Sequence, residues 1–374
     1  MAVVTLAPRG ALHVGEAVGI ERQRVLTYVP SDTLFAALLT AWAQLGRAEE
    51  MLAHLQGTRP PLTLTSAFPC LYTANEQGRP QATLRFYPRP MVRINASDEN
   101  KAKVGKKLTR AAWISDTLFH RLCQGEDVTN ACQDDFFGPG GLWLDPADAS
   151  RLDDDRRDPQ GNLRPLWQVD VVPRVALDRV TNASTLYHTG RVLFARQVGL
   201  WFGLRLAADG LEAPLRQALD TLADAGLGGL RSVGHGAFRW GWQEKDLPRA
   251  DQTDYAVTLA RYAPRDAGEI THTLRVERSA YKLVTVGGWC VDDHGHPWQR
   301  QRARLIAEGS VIGHHSQPAG WMVPVTPRKP KGWQQDATPW PFGENGRGRQ
   351  VYRWGYAFLL PVAEAALPSE ANHV

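Results

Sequence analysis

The chain has 374 residues, of which 43% are hydrophobic and 22% are charged, and this composition excludes disorder along the whole chain. The length favours two domains, each able to bury its own core. The formal net charge of +4 permits a polyanionic partner without requiring one.

Cysteine usage and the N-terminus indicate the compartment. The four cysteines follow no regular spacing, which is typical of reduced thiols rather than of a disulfide framework. The N-terminus lacks the pattern of a secretory signal, and no run of about 18 apolar residues occurs. These features predict a soluble, cytoplasmic protein with no membrane partner.

The first predicted elements are a strand at residues 2–7 and a helix over residues 31–45. We expect Ser31 to be the helix N-cap, Asp32 to favour the positive end of the helix dipole, and Gly46 to end the helix. Four large residues recur at helical spacing and predict one buried face: Leu34, Leu38, Trp42 and Leu45.

Residues 57–165 are rich in proline, glycine and charge, with only short strand-like runs such as ATLRFY and MVRI. A stretch this long and irregular predicts an insertion. It contains KAKVGKKLTR, which puts five positive charges into ten residues and is either a basic surface or a solvated loop.

The following segments alternate between strand and helix patterns. WQVDVVPRVALDRV and GLWFGLRLA are strand-like, and a helix over 211–225 has Pro214 in its first turn and Gly226 as its stop. HGAFRWGW is the next strand. The order strand, helix, strand, strand, helix, strand predicts an α+β, ferredoxin-like (RRM-type) domain at 1–245 with the insertion at about 57–165. After a polar hinge, we expect a second, β-rich domain at 252–374.

The most informative segment is GLGGLRSVGHGAF, which has five glycines between a helix and a strand. Glycine lets the backbone approach a phosphate or ribose closely, and Arg231 and His235 can add charge and hydrogen bonds. The segment has neither the GK[ST] of a P-loop nor a dinucleotide fingerprint. From the residues alone, a structural turn and an anion site both remain open.

The order of segments resembles the RAMP superfamily of CRISPR RNA-binding proteins. SDTLFAAL, FYPRPMVRI, KKLTRAAWIS, VPRVALDRVTNAS, GLGGLRSVGHGAF, YKLVTVGGW, AEGSV and YRWGYAFLLPV follow one another as in the family of guide-capping subunits, the fourth subunit of the type III-A Csm effector complex. The resemblance extends from about Leu12 to Pro361. It implies two ferredoxin-like RAMP domains, with the glycine-rich loop at 226–236 ending the first.

The resemblance also implies which residues contact RNA. The loop would contact the RNA backbone, the DRVTNAS segment would lie near the guide, a basic surface would come from the insertion, and two residues would follow the first strand. The loop residues are Gly228, Gly229, Arg231, Ser232, Gly234, His235 and Gly236, and the DRVTNAS residues are Arg179, Thr181, Asn182 and Ser184. The insertion residues are Lys106, Lys107 and Arg110, and the residues after the first strand are Arg9 and His13.

Each of these assignments has a structural alternative. Arg179 could simply pair with Asp178, because exposed pairs are common and weak. Tyr87, Trp113 and Tyr187 could stack on bases, although packing is the more usual use of an aromatic residue. Cys290, His294 and His296, with His314 and His315 downstream, match no standard zinc spacing, so we expect no metal and no cofactor.

The function implied by the resemblance is non-catalytic binding of the 5′ tag of a CRISPR guide RNA in antiviral defence. The implied partners are that RNA, the large polymerase-like subunit and the adjacent backbone RAMP subunit. The alternative is a metal-independent RAMP endoribonuclease that processes CRISPR precursor RNA, with His13, His188 and His235 as its general acid–base candidates. We expect no catalytic residues.

Overall fold

A computed structural model describes most of the chain: residues 1–18, 22–55, 60–178, 180–181, 183–207, 210–244, 253–292, 294–314, 320–330, 340–342 and 350–368. The α-helices in these ranges are α1 (Ser31–Gln44), α2 (Ala48–Leu55), α3 (Asp98–Lys103), α4 (Gly105–Arg110), α5 (Asp116–Gln124), α6 (Pro146–Ala149), α7 (Glu212–Ala225) and α8 (Ala267–Thr273). None of these described helices is both long and apolar enough to cross a membrane.

The strands are distributed along the whole chain. Up to residue 143 they are β1 (Ala2–Pro8), β2 (Gly15–Val18), β3 (Arg22–Val25), β4 (Leu62–Leu64), β5 (Phe68–Ala74), β6 (Pro80–Pro88), β7 (Trp113–Ser115), β8 (Phe137–Gly138) and β9 (Leu142–Trp143). From residue 167 to 258 they are β10 (Trp167–Leu177), β11 (Ser184–Phe194), β12 (Val198–Leu206), β13 (Phe238–Glu244) and β14 (Tyr255–Thr258). The last are β15 (Leu283–Val286), β16 (Trp289–Val291), β17 (Pro297–Gln299), β18 (Ala303–Ile306), β19 (Val311–Gly313), β20 (Met322–Pro324), β21 (Tyr352–Trp354) and β22 (Leu359–Pro361).

The main sheet has the strand order β13-β1-β12-β5-β6-β7-β9-β8, with β4 also paired to β12. Neighbours from β13 to β7 are antiparallel, and β7 and β9 are parallel. In chain order, β1 is the first strand of this part of the sheet, β4 and β5 together are the second, β12 is the third and β13 is the fourth, so their order across the sheet is 4-1-3-2. The helix α1 connects the first strand to the second, and α7 connects the third to the fourth. This is the topology of a ferredoxin-like domain.

Two strand assignments from the sequence are wrong. The segment 167–177, expected as a strand of this sheet, pairs only with β11 in a separate two-stranded ribbon, and the place beside β12 belongs to β4 and β5. MVRI at 91–94 is irregular, although ATLRFY lies within β6 as expected. The region 57–165 is also more ordered than expected, because β6, β7, β9 and β8 extend the main sheet.

The central strands are covered on both faces. β1 and β12 are buried along most of their length, as their continuous apolar runs indicate. The α1 helix buries Leu34, Leu38 and Trp42 and packs on α7, where Trp42 Nε1 donates to the Pro214 carbonyl at 3.0 Å. Leu45 departs from the expected buried face, because it follows the last helical turn and is 41% exposed.

The C-terminal region packs directly on α1. Its small sheet has the order β19-β14-β22, and the ring of Trp354 lies 4.8 Å from that of Phe35 in α1. Val257, Leu259 and Trp354 belong to the same apolar cluster as the main sheet. The principal core is therefore continuous between the two predicted domains.

Ser31 does not have its expected role as N-cap, whereas Asp32 lies in the first helical turn as expected and also forms ion pairs. Pro30 occupies the N-cap position, and the Ser31 hydroxyl accepts from the Arg261 N–H at 2.9 Å. Asp32 is fully buried between the guanidinium groups of Arg261 and Arg353. A buried carboxylate without a partner would be costly, so Asp32 depends on its two ion pairs. Those ion pairs link α1 to the C-terminal region.

Candidate nucleic-acid interface

The glycine-rich loop follows α7 and leads into β13. Gly226 ends the helix with φ of +84°, as expected, and Gly228, Gly234 and Gly236 also have φ between +83° and +90°. A side chain would strain the backbone at each of these positions. The glycine content is therefore required by the path of the loop itself.

Most of the close approaches within the loop are to the protein's own backbone. A Cβ on Gly236 would lie 2.1 Å from the Leu227 carbonyl oxygen, and one on Gly228 would lie 2.4 Å from that of His13. Gly234 differs, because a Cβ there would meet no atom within 4 Å. Gly228 and Gly236 thus shape the loop, whereas Gly234 lies on its open side.

The segment after β1 joins the loop to the β10–β11 ribbon. The His13 carbonyl accepts from the Gly229 N–H at 2.8 Å, and its ring Nδ1 lies 2.6 Å from the Gly190 carbonyl oxygen of β11. One residue earlier, Leu12 and Val192 exchange two backbone hydrogen bonds. The structure therefore brings His13, the loop and the base of the ribbon together at one place.

The crest of the loop presents polar groups to solvent. Leu230 has φ of +58°, which is rare for a bulky residue, and it opens a single 3₁₀ turn over Arg231–Val233. Arg231 and Ser232 are exposed, and their N–H groups donate to no atom of the described chain. A left-handed residue followed by right-handed ones aims successive N–H groups outward, an arrangement that binds anions.

His235 lies beneath this crest and is 6% exposed. Burial lowers the pKa of His235 below its ordinary value, and the nearby positive charges of Arg174 and Arg191 act in the same direction. Its Nδ1 is buried and has no hydrogen-bond partner in the described part of the chain. His235 is therefore a buried ring near two guanidinium groups, with one polar atom unused.

The β10–β11 ribbon has two chemically different faces. Residues opposite each other in an antiparallel pair share a face, so the register places Asp170, Arg174, Tyr187, Thr189 and Arg191 on one side. On that side Arg191 pairs with Asp170 at 2.8 Å, and Arg174 Nε donates to the Thr189 hydroxyl at 3.2 Å. Thr189 is buried and the three charged residues of this face are half-buried, so this polar face is turned toward the body of the protein, with both arginines near His235.

The other face of the ribbon is apolar and, beyond Gly190 and Val192 at its base, uncovered. Its five large side chains are between 49% and 70% exposed: Val169, Val171, Val175, Leu177 and Leu186. Single exposed apolar residues are ordinary, but a continuous row of them marks an interaction surface. In the sequence, this face is indicated by the alternation of apolar residues in VDVVPRVAL. The alternate apolar side chains of that segment face solvent rather than a core.

The predicted DRVTNAS residues lie at the far end of the ribbon. The Asp178 carboxylate accepts from the Val180 N–H at 2.9 Å and the Thr181 hydroxyl at 2.7 Å, which closes the turn. Thr181 and Ser184 are exposed, whereas Arg179 and Asn182 lie outside the described residues. Six residues of strand separate Gly190 from Ser184, so the tip lies about 20 Å from His13.

The basic insertion segment is helical rather than a loop and lies elsewhere. It forms α3 and α4, which precede β7, four strands from β1 in the main sheet. Lys107 pairs with Asp134 at 2.9 Å, whereas Lys106 and Arg110 are exposed. These three residues therefore do not join the surface at His13. Arg9 lies beside the two ends of the loop, where it pairs with Asp224 of α7 at 2.8 Å and is thereby already partnered.

Other candidate side chains have structural partners. Tyr87 is buried and donates to Asp116 at 2.8 Å, and Trp113 is also buried, so only Tyr187 of the three aromatic candidates is accessible. Near Cys290, the Asp292 carboxylate accepts from the His294 N–H and from Trp298 Nε1, both at 2.9 Å.

These bonds lower the pKa of Asp292 to about 2, the one from Trp298 most strongly. Within the described ranges, no three His, Cys, Asp or Glu side chains are grouped so as to hold a metal ion, and His315 lies outside them.

Sequence reasoning missed Arg174 and Arg191. Neither residue lies in a charge cluster, and Arg174 was not singled out although it falls within the VPRVALDRVTNAS segment; each becomes part of the site only through strand pairing. The alternation of Arg174 with apolar neighbours in β10 was the available signal, since it predicts a two-faced strand. The partner strand, and hence the polar face, could not be read from that segment alone.

Comparisons with known proteins agree with this fold. No family model matches the chain. Over 151 residues, or 40% of the chain, the sequence is 32% identical to the CRISPR protein Csm4 of Thermococcus onnurineus strain NA1. That match spans 45% of the relative, which is less than half of its length.

Solved structures match over nearly the whole chain. A chain of the Csm3–Csm4 subcomplex of a type III-A CRISPR-Cas interference complex has a TM-score of 0.62 at 15% identity, covering 96% of this chain and 99% of that one. A chain of a Csm1–Csm4 cassette in complex with pppApA has a TM-score of 0.54 at 17% identity, covering 98% of each. The predicted resemblance to the Csm4 subunit of type III-A CRISPR systems is confirmed, and so is the α+β fold class.

Proposed function

We propose that this chain is a non-catalytic RNA-binding subunit of a type III CRISPR effector complex and that it binds the 5′ tag of the guide RNA. The observation that carries the proposal is the junction at His13, where the glycine-rich loop and the polar face of the β10–β11 ribbon meet. Outward N–H groups and arginines suit phosphates, and an accessible Tyr187 suits a base.

The ribbon and loop would hold the RNA between them. Arg231 and the N–H groups beside it would contact the backbone of the tag, and Arg174 would add positive charge from the other side, where Arg191 is already paired with Asp170. His235 Nδ1 lies beneath the same loop and has no hydrogen-bond partner in the described part of the chain. These contacts position RNA without reading its sequence.

The wider assembly follows from the resemblance. We infer two ferredoxin-like domains, 1–245 and 252–374, in a cytoplasmic protein that docks the large polymerase-like subunit and the adjacent backbone subunit. The similarity to chains from Csm1–Csm4 and Csm3–Csm4 complexes supports this inference. The apolar face of the ribbon and the exposed crest of the loop offer surfaces for such contacts.

Incubation of the purified protein with CRISPR repeat RNA in EDTA separates binding from cleavage. We expect a stable complex and intact RNA, because His13 and His235 are both buried at the junction, His13 Nδ1 already lies against the Gly190 carbonyl oxygen, and burial lowers the pKa of His235. Specific cleavage of the repeat would instead establish the metal-independent endoribonuclease. Absence of any complex with RNA would contradict the proposal.

A further inference from the structure

A second accessible aromatic surface lies in the C-terminal region, on strands β15 to β18. Along residues 283–291, alternate side chains face solvent, and three of them are large and apolar: Leu283, Trp289 and Val291, which are 55%, 63% and 60% exposed. Tryptophan is usually well buried, and an indole exposed to this degree on a strand is an unused binding element.

The same surface carries positive charge. Thr285 lies opposite Arg304, and a Cβ on Gly287 would lie 3.7 Å from Arg302 Cγ, so both arginines border the exposed row. Arg302, Arg304 and the neighbouring Lys282 are exposed and form no ion pair with any residue in the described ranges. Gly287 and Gly288 connect β15 to β16, and Trp289 begins β16 directly after them.

The underside of this surface is fixed. Cys290 and Trp298 face inward, and the Trp298 ring packs edge-on against Trp340 at 4.8 Å. The turn beyond Val291 is held by Asp292, which accepts from Trp298 Nε1. The Trp289 ring is therefore presented from a rigid ribbon rather than from a loose loop.

A line of charged contacts runs between this ribbon and the junction at His13. Glu16, three residues after His13, pairs with Arg261 at 3.1 Å, and Arg261 and Arg353 share Asp32. Arg353 in turn donates to the Gly287 carbonyl. The two surfaces are thus parts of one connected body.

We propose that the surface formed by Trp289, Arg302 and Arg304 binds single-stranded RNA, with one base stacked on the indole and phosphates beside the two guanidinium groups. Unpaired cations around an exposed aromatic ring are the combination that single-strand sites use. The absence of exposed carboxylates among the described residues of this row favours a polyanion over a protein partner. The inference rests on the proposed RNA-binding function and adds a second contact point to it.

Substitutions at Trp289 distinguish stacking from apolar docking. The full-length protein and its Trp289→Leu and Trp289→Phe variants are titrated with a labelled oligoadenylate, and thermal melting verifies that each is folded. We expect Trp289→Leu to lose about five- to 150-fold in affinity, the range for one stacked base, and Trp289→Phe to retain most of it. Equal affinity of wild type and Trp289→Leu would overturn the proposal.

The arginines are tested by the salt dependence of the same affinity. The Arg302→Ala/Arg304→Ala variant should reduce the slope of log affinity against log salt by about 1.4, or 0.7 for each lost phosphate contact. The charge-matched control is Arg47→Ala/Lys103→Ala, because those cations already pair with Glu50 and Glu99, and it should leave the slope unchanged.

Failure of this site and failure of the proposed function give different results. If Arg231→Ala weakens binding while the Trp289 and arginine variants match wild type, then the C-terminal surface does not bind RNA and the junction at His13 still does. If wild type binds no RNA, both proposals fail. Loss of binding to a large subunit with RNA affinity retained would identify the surface as a protein interface and overturn the RNA assignment.

Discussion

The glycine-rich loop and the β10–β11 ribbon meet at His13, yet they are built in opposite ways. The loop is fixed by backbone contacts so close that Gly228 and Gly236 have no room for a side chain. Beyond its base, where Leu12 and His13 bond to it, the ribbon is held by its own ladder of hydrogen bonds, and most of its side chains there are exposed. Substitutions in the loop should therefore act mainly on stability, and substitutions in the ribbon mainly on binding.

The largest expected effect is that of Gly236→Ala. Its Cβ would meet the Leu227 carbonyl at 2.1 Å, and its φ of +83° would be strained as well, so we expect a loss of more than about 3 kcal/mol in the free energy of unfolding. Gly234→Ala is the matched control, because it has a similar φ of +86° but open space. It should lose about 1–2 kcal/mol.

Urea denaturation of the two variants measures this difference. Equal losses would mean that the loop tolerates movement at Gly236 and that its close packing is not what fixes it.

The ribbon should show the reverse pattern. Val171→Thr/Val175→Thr replaces two exposed methyl groups by hydroxyls on the apolar face, and we expect stability to change by less than about 0.5 kcal/mol. If a partner covers that face, affinity for the partner should fall about tenfold, at about 0.8 kcal/mol for each buried methyl-sized group. Binding of RNA and of the large subunit is measured side by side. A large fall in melting temperature would show that the face is packed in the isolated protein.

Arg231 allows a test of the loop that does not disturb its backbone. Its side chain is exposed on the crest, so Arg231→Ala should leave the melting temperature unchanged. If it contacts one phosphate, the salt dependence of RNA affinity should fall by about 0.7 in slope. An unchanged slope would remove Arg231 from the interface and leave the structural turn as its explanation.

The smallest expected effect is the pH dependence contributed by His235. Because burial lowers its pKa in the folded state, the unfolded chain binds more protons than the folded chain between the two pKa values. The contribution of His235 is complete above its unfolded pKa of about 6.5 and is lost as pH falls toward the folded value. Melting of wild type and His235→Gln across this window should show a weaker pH dependence in the variant. His54→Gln, at an exposed helical site, is the control.

Local patterns predicted the elements whose signals lie within one segment. The strand β1 and the helices α1 and α7 follow from apolar runs and 3.6-residue periodicity, and Gly46 and Gly226 stop their helices with positive φ as expected. The glycine-rich loop was located correctly between α7 and β13. Its close contacts with His13 were not predictable, because they depend on where β1 ends relative to the loop.

Long-range pairings account for what the sequence could not reveal. Asp32 was interpreted as a helix-dipole residue, yet its partner Arg353 lies 321 residues away. The assignment of β10 to the main sheet failed for a similar reason, since its apolar residues alternate as a core strand's do but face solvent. The cluster of Lys106, Lys107 and Arg110 was visible in the sequence, whereas its separation from the loop depends on the order of strands in the sheet.

The central claim is that RNA lies at the junction of His13, the loop and the polar face of the ribbon. Ultraviolet crosslinking of the full chain to a guide RNA that carries its 5′ tag, followed by mass spectrometry of the peptides, tests this directly. We predict crosslinked peptides from the segments 9–14, 184–191 and 226–236. Crosslinks confined to α3 and α4, with none in these three segments, would contradict the account.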